Sequence, residues 1–399
     1  MKKKRLLVVS YNMIVGGSTT SLLSFLKAID KKKIEVDLLL YKNEGPLFDM
    51  IPIDVNVLEQ AFKYEGDYGK IIKFILGIFS GYLLRARLEN KKMGKLGYSN
   101  QIMSDFQVCC LSKKIKKQYD FAIGYLEGWA DRYVAYKVNA KRKYGWLHST
   151  FDKIAPNPML EVQWMDKMDK IVCVAESCRQ DFCEIMKPMN FKSVTIENMI
   201  DKEFLVSQSK IEKSDDLELK DIKNYVCFKI VSVCRLSIET KGLDRVILTA
   251  KKLVDDGMKF KWYIVGDGAD KERLKKMIRD NGLQEVVILT GNRINPYPFL
   301  AEADIMCMPS RWEGKPMTVL EALAVGTPCI VTEYLSAKEQ IENGLEGIIV
   351  ENTDDSIYPA IKSCIIDKTI VEKMRRYIQK KEYSNKEHLQ TIERELFYN

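Results

Sequence analysis

Ser310-Arg311-Trp312-Glu313-Gly314-Lys315-Pro316-Met317-Thr318-Val319-Leu320-Glu321-Ala322 sets two glutamates eight positions apart, with a turn under the first and a helix under the second. The apolar run Ile305 to Met308 just upstream reads as a strand. Glu313 therefore falls beyond its carboxyl end, the edge where open α/β sheets hold ligands. Thr318 to Val325 reads as a helix, with Glu321 one turn in. The first N–H groups of a helix lack partners of their own and, with the helix dipole, attract anions. One carboxylate can thus accept from ligand hydroxyls while the backbone beside it holds an anion. Taken alone, the same spacing also describes a solvated helix start.

A second segment narrows the reading. Val231-Ser232-Val233-Cys234-Arg235-Leu236-Ser237-Ile238-Glu239-Thr240-Lys241-Gly242-Leu243-Asp244-Arg245 runs from a strand into a loop that carries Arg235 and Lys241, and then into a helix. A fork-shaped guanidinium and a compact ammonium together suit a diphosphate, which needs both directional and point-charge neutralisation.

Around these segments, strands are expected at 229–233, 260–265, 286–289, 305–308, 328–331 and 347–350. Helical stretches at 243–256, 271–281 and 318–325 alternate with them. Such alternation predicts an α/β fold with a doubly wound parallel sheet and helices on both faces. The chain has 399 residues, 46% of them apolar, more than one hydrophobic core usually supports. Ser207 to Asn224 is polar and poor in large apolar groups, so a linker is placed there. The expected organisation is a first domain over 1–205, a linker over 206–228, a second domain over 229–370 and a helical tail over 371–399. No internal repeat or low-complexity tract appears.

The second half resembles the retaining family 4 glycosyltransferases of the GT-B fold, as found among bacterial capsule, lipopolysaccharide and exopolysaccharide enzymes. Besides the two segments above, the resemblance rests on Tyr263-Ile264-Val265-Gly266-Asp267-Gly268, Leu289-Thr290-Gly291-Asn292, Ala303-Asp304-Ile305 and Gly326-Thr327-Pro328. In the first half, three fragments resemble the same family. Leu6 to Ser10 leads through Gly16-Gly17-Ser18 into the apolar periodicity of Leu22, Leu23, Phe25 and Leu26. Tyr144-Gly145-Trp146-Leu147-His148-Ser149-Thr150 ends a strand in one of the chain's two histidines. Ile171 to Ser177 and Val194 to Asp201 look like the last strands of the first domain.

The resemblance implies two Rossmann-like domains facing across a cleft, with the C-terminal helix crossing back to the first. It implies hexosyl transfer with retention, from a nucleotide-diphosphate sugar, UDP-linked, to a hydroxyl of a glycan or lipid-linked acceptor. By the same resemblance His148, Arg235, Lys241 and Glu313 carry the chemistry. Arg235 and Lys241 hold the diphosphate, Glu321 the ribose, and Glu313 the sugar, together with Gly314, Lys315, Pro316, Met317 and Thr318. Proline itself has no N–H to offer. Gly16 and Gly17 approach the donor phosphates or the acceptor, and Asn292 and Arg293 meet the base. Lys315 stands where many members have an aromatic residue or leucine, and Ser149 where an acid is frequent; both departures bear on donor identity. Other enzymes of this architecture, such as an epimerase or an inverting transferase, and a non-catalytic nucleotide-sugar-binding partner subunit, remain open readings.

The composition excludes other classes. Two histidines and ten cysteines with no C-x-x-C pattern argue against a structural zinc site, and neither metal nor resident cofactor is expected. Cysteines within apolar runs, and a start in which Lys2-Lys3-Lys4-Arg5 leads into only a short apolar stretch, point to a cytoplasmic setting. Net charge is +8. Residues 70–98 join apolar positions to seven cations and one acid, a pattern suited to peripheral contact with an anionic membrane or to an amphipathic cover for the chain's own domain. No recognition motif accompanies the charge, so nucleic acid is not expected as a partner.

Overall fold

The computed structural model describes residues 3–61, 105, 108–110, 112–154, 158–211, 216–383 and 385–397. The stretch 70–98 lies outside them. Among the described residues no helix is long and apolar enough to cross a membrane. The chain divides into two units, Met1–Met199 with Lys386–Asn399, and Ile200–Asn385.

Among the described residues the first unit holds seven parallel strands: β1 (Lys4–Ser10), β2 (Ile34–Leu40), β3 (Asn56–Val57), β4 (Gln118–Gly124), β5 (Asn139–Leu147), β6 (Lys170–Cys173) and β7 (Ser193–Thr195), in the order β3-β2-β1-β4-β5-β6-β7. The order reverses between β1 and β4, which pair directly. Side chains alternate across a strand, and both faces here are covered: Leu7 and Val9 enter one core cluster, Leu6 and Val8 the other. This is why the first strand reads as a continuous apolar run rather than an alternating one. The C-terminal residues close one of those faces. Ile392, Leu396 and Phe397 join the cluster of Leu6 and Val8, and the Phe397 and Phe121 rings lie 4.8 Å apart.

The second unit has six parallel strands: β8 (Phe228–Val233), β9 (Phe260–Val265), β10 (Val287–Gly291), β11 (Ile305–Met308), β12 (Cys329–Thr332) and β13 (Gly347–Val350), in the order β10-β9-β8-β11-β12-β13. The switch falls between β8 and β11. Helices Leu243–Asp255, Lys271–Asp280 and Met317–Ala324 occupy the expected stretches within a residue at each end.

Two expected boundaries move. The span 206–228 is not a bare linker, because Lys202–Ser209 and Leu217–Asn224 are helices of the second unit, capped by Asp201 and Asp216. Leu205, Leu219 and Ile222 bury there, a sparse apolar stripe that the polar composition concealed. The tail also starts later than residue 371. Helix Lys368–Lys380 sends Val371, Met374 and Ile378 into the cores of the second unit, and only Lys386–Asn399 belongs to the first.

Candidate functional site

In the second unit the loops after β8 and β11 lie side by side at the switch point, the position where doubly wound sheets bind ligands. Several contacts clasp them. The Arg311 N–H donates to the Thr240 carbonyl at 2.9 Å, and the Arg311 guanidinium pairs with Asp244 at 2.7 Å. Arg245 Nη1 donates to the Pro309 carbonyl at 3.1 Å. Gly242 takes the left-handed conformation at φ 62°, and a Cβ there would stand 2.1 Å from the Pro309 oxygen, so the close approach requires glycine.

This clasp delivers Lys241 to Glu313. Lys241 Nζ lies 2.5 Å from Glu313 Oε1, and Ser310 Oγ donates to the same oxygen at 2.6 Å. Glu313 is only 9% exposed, and its Oε2 has no hydrogen-bond partner among the described residues. One carboxylate oxygen is thus pinned while the other can accept from ligand hydroxyls.

Directly after, helix Met317–Ala324 begins at Pro316 with no side-chain cap and no acid in its first turn. Its start is buried, with Met317 and Val319 almost fully enclosed. Buried N–H groups at a helix start need a partner, and an anion serves. Glu321 is buried one turn further on, Gly314, Lys315 and Pro316 are buried in the preceding turn, and Thr318 is half-buried.

Arg235 is exposed on the loop after β8, and its side chain pairs with no carboxylate among the described residues. The Gly266-Asp267-Gly268 turn packs backbone against this loop, as a Cβ on Gly266 would lie 1.9 Å from the Cys234 oxygen. Burial pushes the Cys234 thiol up to about 12, so it remains protonated beside Lys241 and Glu313.

Arg293, expected to meet the base, places its side chain among groups of the second unit. Its Nε and Nη2 bind the two Asp216 carboxylate oxygens at 2.8 and 3.2 Å, Nη2 also donates to Glu218 at 3.0 Å, and Nη1 to the Thr290 and Asn292 carbonyls. A guanidinium has five N–H donors, and these contacts occupy all of them. Arg293 is a clamp on the start of helix Leu217–Asn224. Asn292 is exposed beside it.

In the first unit the corresponding switch lies between β1 and β4. The loop after β1 leads to Gly16, which precedes helix Gly17–Ala28, and a Cβ on Gly16 would meet nothing within 4 Å. Among the described residues nothing demands glycine there. The loop after β4 carries Tyr125, Glu127 and Gly128, with the Glu127 carbonyl accepting from the Tyr11 hydroxyl at 3.3 Å.

His148, at the end of β5, joins this loop. Its backbone N–H donates to Glu127 Oε2 at 2.9 Å, and its Nε2 lies 2.9 Å from the Tyr125 carbonyl. A carbonyl only accepts, so Nε2 carries the proton. The Asn198 side chain also hydrogen-bonds the ring, and burial holds the imidazole down at about 4. His148 is neutral at ordinary pH. Burial raises Glu127 above the usual carboxylate range and Asp131, fully enclosed beside it, well above. Neither acid stood out in the sequence. The signal available was Tyr125-Leu126-Glu127-Gly128-Trp129, a turn between an apolar strand and a helix.

Two doubly wound parallel sheets with polar loops at their switch points define a GT-B fold. Residues 220–383, within the second unit, match the family Glycosyl transferases group 1. An amylovoran biosynthesis glycosyltransferase, AmsK of Erwinia amylovora, is 34% identical over 156 residues, covering 37% of each chain. A poly(ribitol-phosphate) alpha-N-acetylglucosaminyltransferase of Staphylococcus aureus is 24% identical over 335 residues, covering 81% of this chain and 62% of its own. Among solved structures, Anabaena Alr3699/HepE in complex with UDP and glucose superposes with TM-score 0.68 at 15% identity, covering 99% of this chain and 100% of its own. The first curated relatives are matched over about a third of their length, 37% for AmsK.

Proposed function

We propose that this chain is a glycosyltransferase that moves a sugar from a nucleotide-diphosphate sugar, UDP-linked, to a hydroxyl of a glycan or lipid-linked acceptor in cell-surface polysaccharide synthesis. The observation that carries this reading is the Lys241–Glu313 pair, 2.5 Å apart at the β8/β11 switch point and directly before an uncapped, buried helix start. Cation, hydroxyl acceptor and orphan amides in one place match the parts of a sugar diphosphate. Relatives named for amylovoran and poly(ribitol-phosphate) chemistry support the polysaccharide setting.

In this mechanism Arg235 and Lys241 neutralise the diphosphate as charge develops on it, a preorganised electrostatic effect. Glu313 holds donor-sugar hydroxyls and Glu321 the ribose. The amides of Lys315, Met317 and Thr318 meet the anion or the sugar. His148, in the first unit, is a neutral imidazole and does not serve as a resident acid. Transfer proceeds with retention by front-face attack, the leaving phosphate taking the acceptor proton. This is unlike retaining glycosidases, whose two carboxyls stand about 5 Å apart. The reaction requires no metal, so activity should survive EDTA. Contact with an anionic membrane is part of the proposal for a lipid-linked acceptor.

The test is a thermal-shift screen across nucleotide-diphosphate sugars, followed by transfer from the stabilising donor and NMR of the product. A ligand that prefers the native state raises its melting temperature. Retained anomeric configuration in a glycoside product supports the reading. An isomerised nucleotide sugar or an inverted product overturns it in favour of another enzyme of this fold.

A further inference from the structure

Between Pro309 and Pro316 the backbone carbonyls of Pro309, Ser310, Arg311, Gly314 and Pro316 are held from behind by side chains of surrounding elements. Arg245 donates to the Pro309 oxygen and Asn352 Nδ2 to that of Arg311, at 3.1 and 2.8 Å. The remaining donors come from the last residue of β12 and the segment that follows it. Thr332 Oγ1 donates to the Ser310 carbonyl at 2.5 Å, Ser336 Oγ to that of Gly314, and Gln340 Nε2 to that of Pro316 at 2.8 Å. Gln340 is itself fixed, its Oε1 accepting from the Tyr334 hydroxyl at 2.7 Å. Thr332 and Ser336 are fully enclosed, Gln340 is 6% exposed and Tyr334 2%. β12 runs parallel to β11, which brings this segment alongside the Glu313 loop.

Peptide geometry turns these contacts into aim. In a trans peptide the C=O and the following N–H point in opposite directions. With the Gly314 carbonyl drawn to Ser336, the Lys315 N–H faces the other way. With the Pro316 carbonyl drawn to Gln340, the Met317 N–H does too, and it is the first N–H of helix Met317–Ala324. Those are the amides that the proposed function needs.

We propose that Ser336 and Gln340, with Thr332 beneath the Ser310 that grips Glu313, are positioning residues that set the Gly314–Lys315 and Pro316–Met317 peptides with their N–H groups toward the diphosphate end of the donor. The inference rests on the nucleotide-sugar reading of the same site. Groups that lock the first contact layer are worth most where ligand geometry is tight. Freed of its side-chain donor, either peptide can rotate and withdraw its N–H.

The experiment is calorimetric titration of full-length wild type, Ser336→Ala and Gln340→Leu with UMP, UDP and UDP-glucose, with GMP, GDP and GDP-mannose in parallel. Melting temperatures are recorded for each protein. Each variant should lose at least about tenfold in affinity for the diphosphate and the diphosphate sugar, while the monophosphate stays within about twofold. Wild-type affinities for all three ligands in both variants overturn the proposal. So does an equal loss for monophosphate and diphosphate, the mark of general destabilisation. Failure of the wild type to bind any of the six overturns the nucleotide-sugar reading itself, and this outcome is distinct because it appears before any variant is compared.

Discussion

Lys241 and Glu313, 72 residues apart in the chain, form an ion pair of 2.5 Å whose acidic partner is 9% exposed. Ser310 adds a second hydrogen bond to the same oxygen. A charge pair this enclosed is fixed in direction before any ligand arrives, which is what electrostatic stabilisation of a leaving group requires.

Removing the cation should therefore do two things. Lys241→Ala is expected to cut turnover about 100- to 1,000-fold, the scale of losing one transition-state donor. It also leaves Glu313 without its counter-charge, at a cost of about 3–5 kcal/mol if the carboxylate stays buried. Steady-state kinetics and a denaturation midpoint separate the two effects. Near-normal turnover in the variant would remove Lys241 from the mechanism.

Gly242 should be intolerant for a reason independent of charge. Its φ of 62° and the 2.1 Å contact that a Cβ would make with the Pro309 oxygen hold the two site loops together. Gly242→Ala is expected to cost at least about 1 kcal/mol, since backbone rather than a flexible side chain must move. The same shift carries Lys241 away from Glu313, so activity should fall more than stability alone predicts. An alanine variant with wild-type kinetics at a temperature where it is fully folded contradicts this account.

Arg293 makes the opposite prediction from the one its motif suggests. With every N–H committed within the second unit, Arg293→Ala should lose about 1–3 kcal/mol of stability, in line with hydrogen bonds to charged groups, yet change diphosphate affinity by less than about twofold. A large loss of nucleotide affinity without loss of stability returns Arg293 to the ligand.

These cases show what was legible in the sequence. β8 and β11 announced themselves as apolar runs because both sheet faces are covered, and Lys241 and Glu313 followed from their places beyond those strands. Helix Met317–Ala324 was readable for the same reason. Thr332, Ser336 and Gln340 were not, because single polar residues at a strand end, in the following loop and on the one-turn helix Ala337–Gln340 carry no periodicity. Their meaning lies in three-dimensional proximity to carbonyls more than 20 positions away. The helices over 202–224 were hidden by their few buried apolar residues, and the contacts of Arg293 were not foreseen because its partners Asp216 and Glu218 lie more than 70 positions back.

His148 should leave a mark on stability in acid. Its folded value of about 4 lies below the ordinary 6.5, chiefly through burial. Between those values the unfolded chain binds a proton that the folded ring refuses, so stability rises with pH across that window and is lost as pH falls through it. Above about 6.5 the ring is neutral in both states and contributes no slope. At the bottom of the window the loss reaches about 3 kcal/mol, since each tenfold difference in proton affinity between the two states is worth about 1.36 kcal/mol. Glu127 and Asp131, packed against the same turn, act in the other direction. Their values are raised, so they favour the folded state at low pH and lose that contribution as pH rises through the carboxylate range and above. Whole-protein acid stability therefore mixes opposing slopes, and the informative quantity is a difference. Denaturation midpoints of wild type and His148→Gln should diverge between pH 6.5 and 4, with the variant losing less of its own pH 7.5 stability. Parallel profiles would mean that the imidazole protonates freely in the folded chain, and burial would no longer account for a neutral ring.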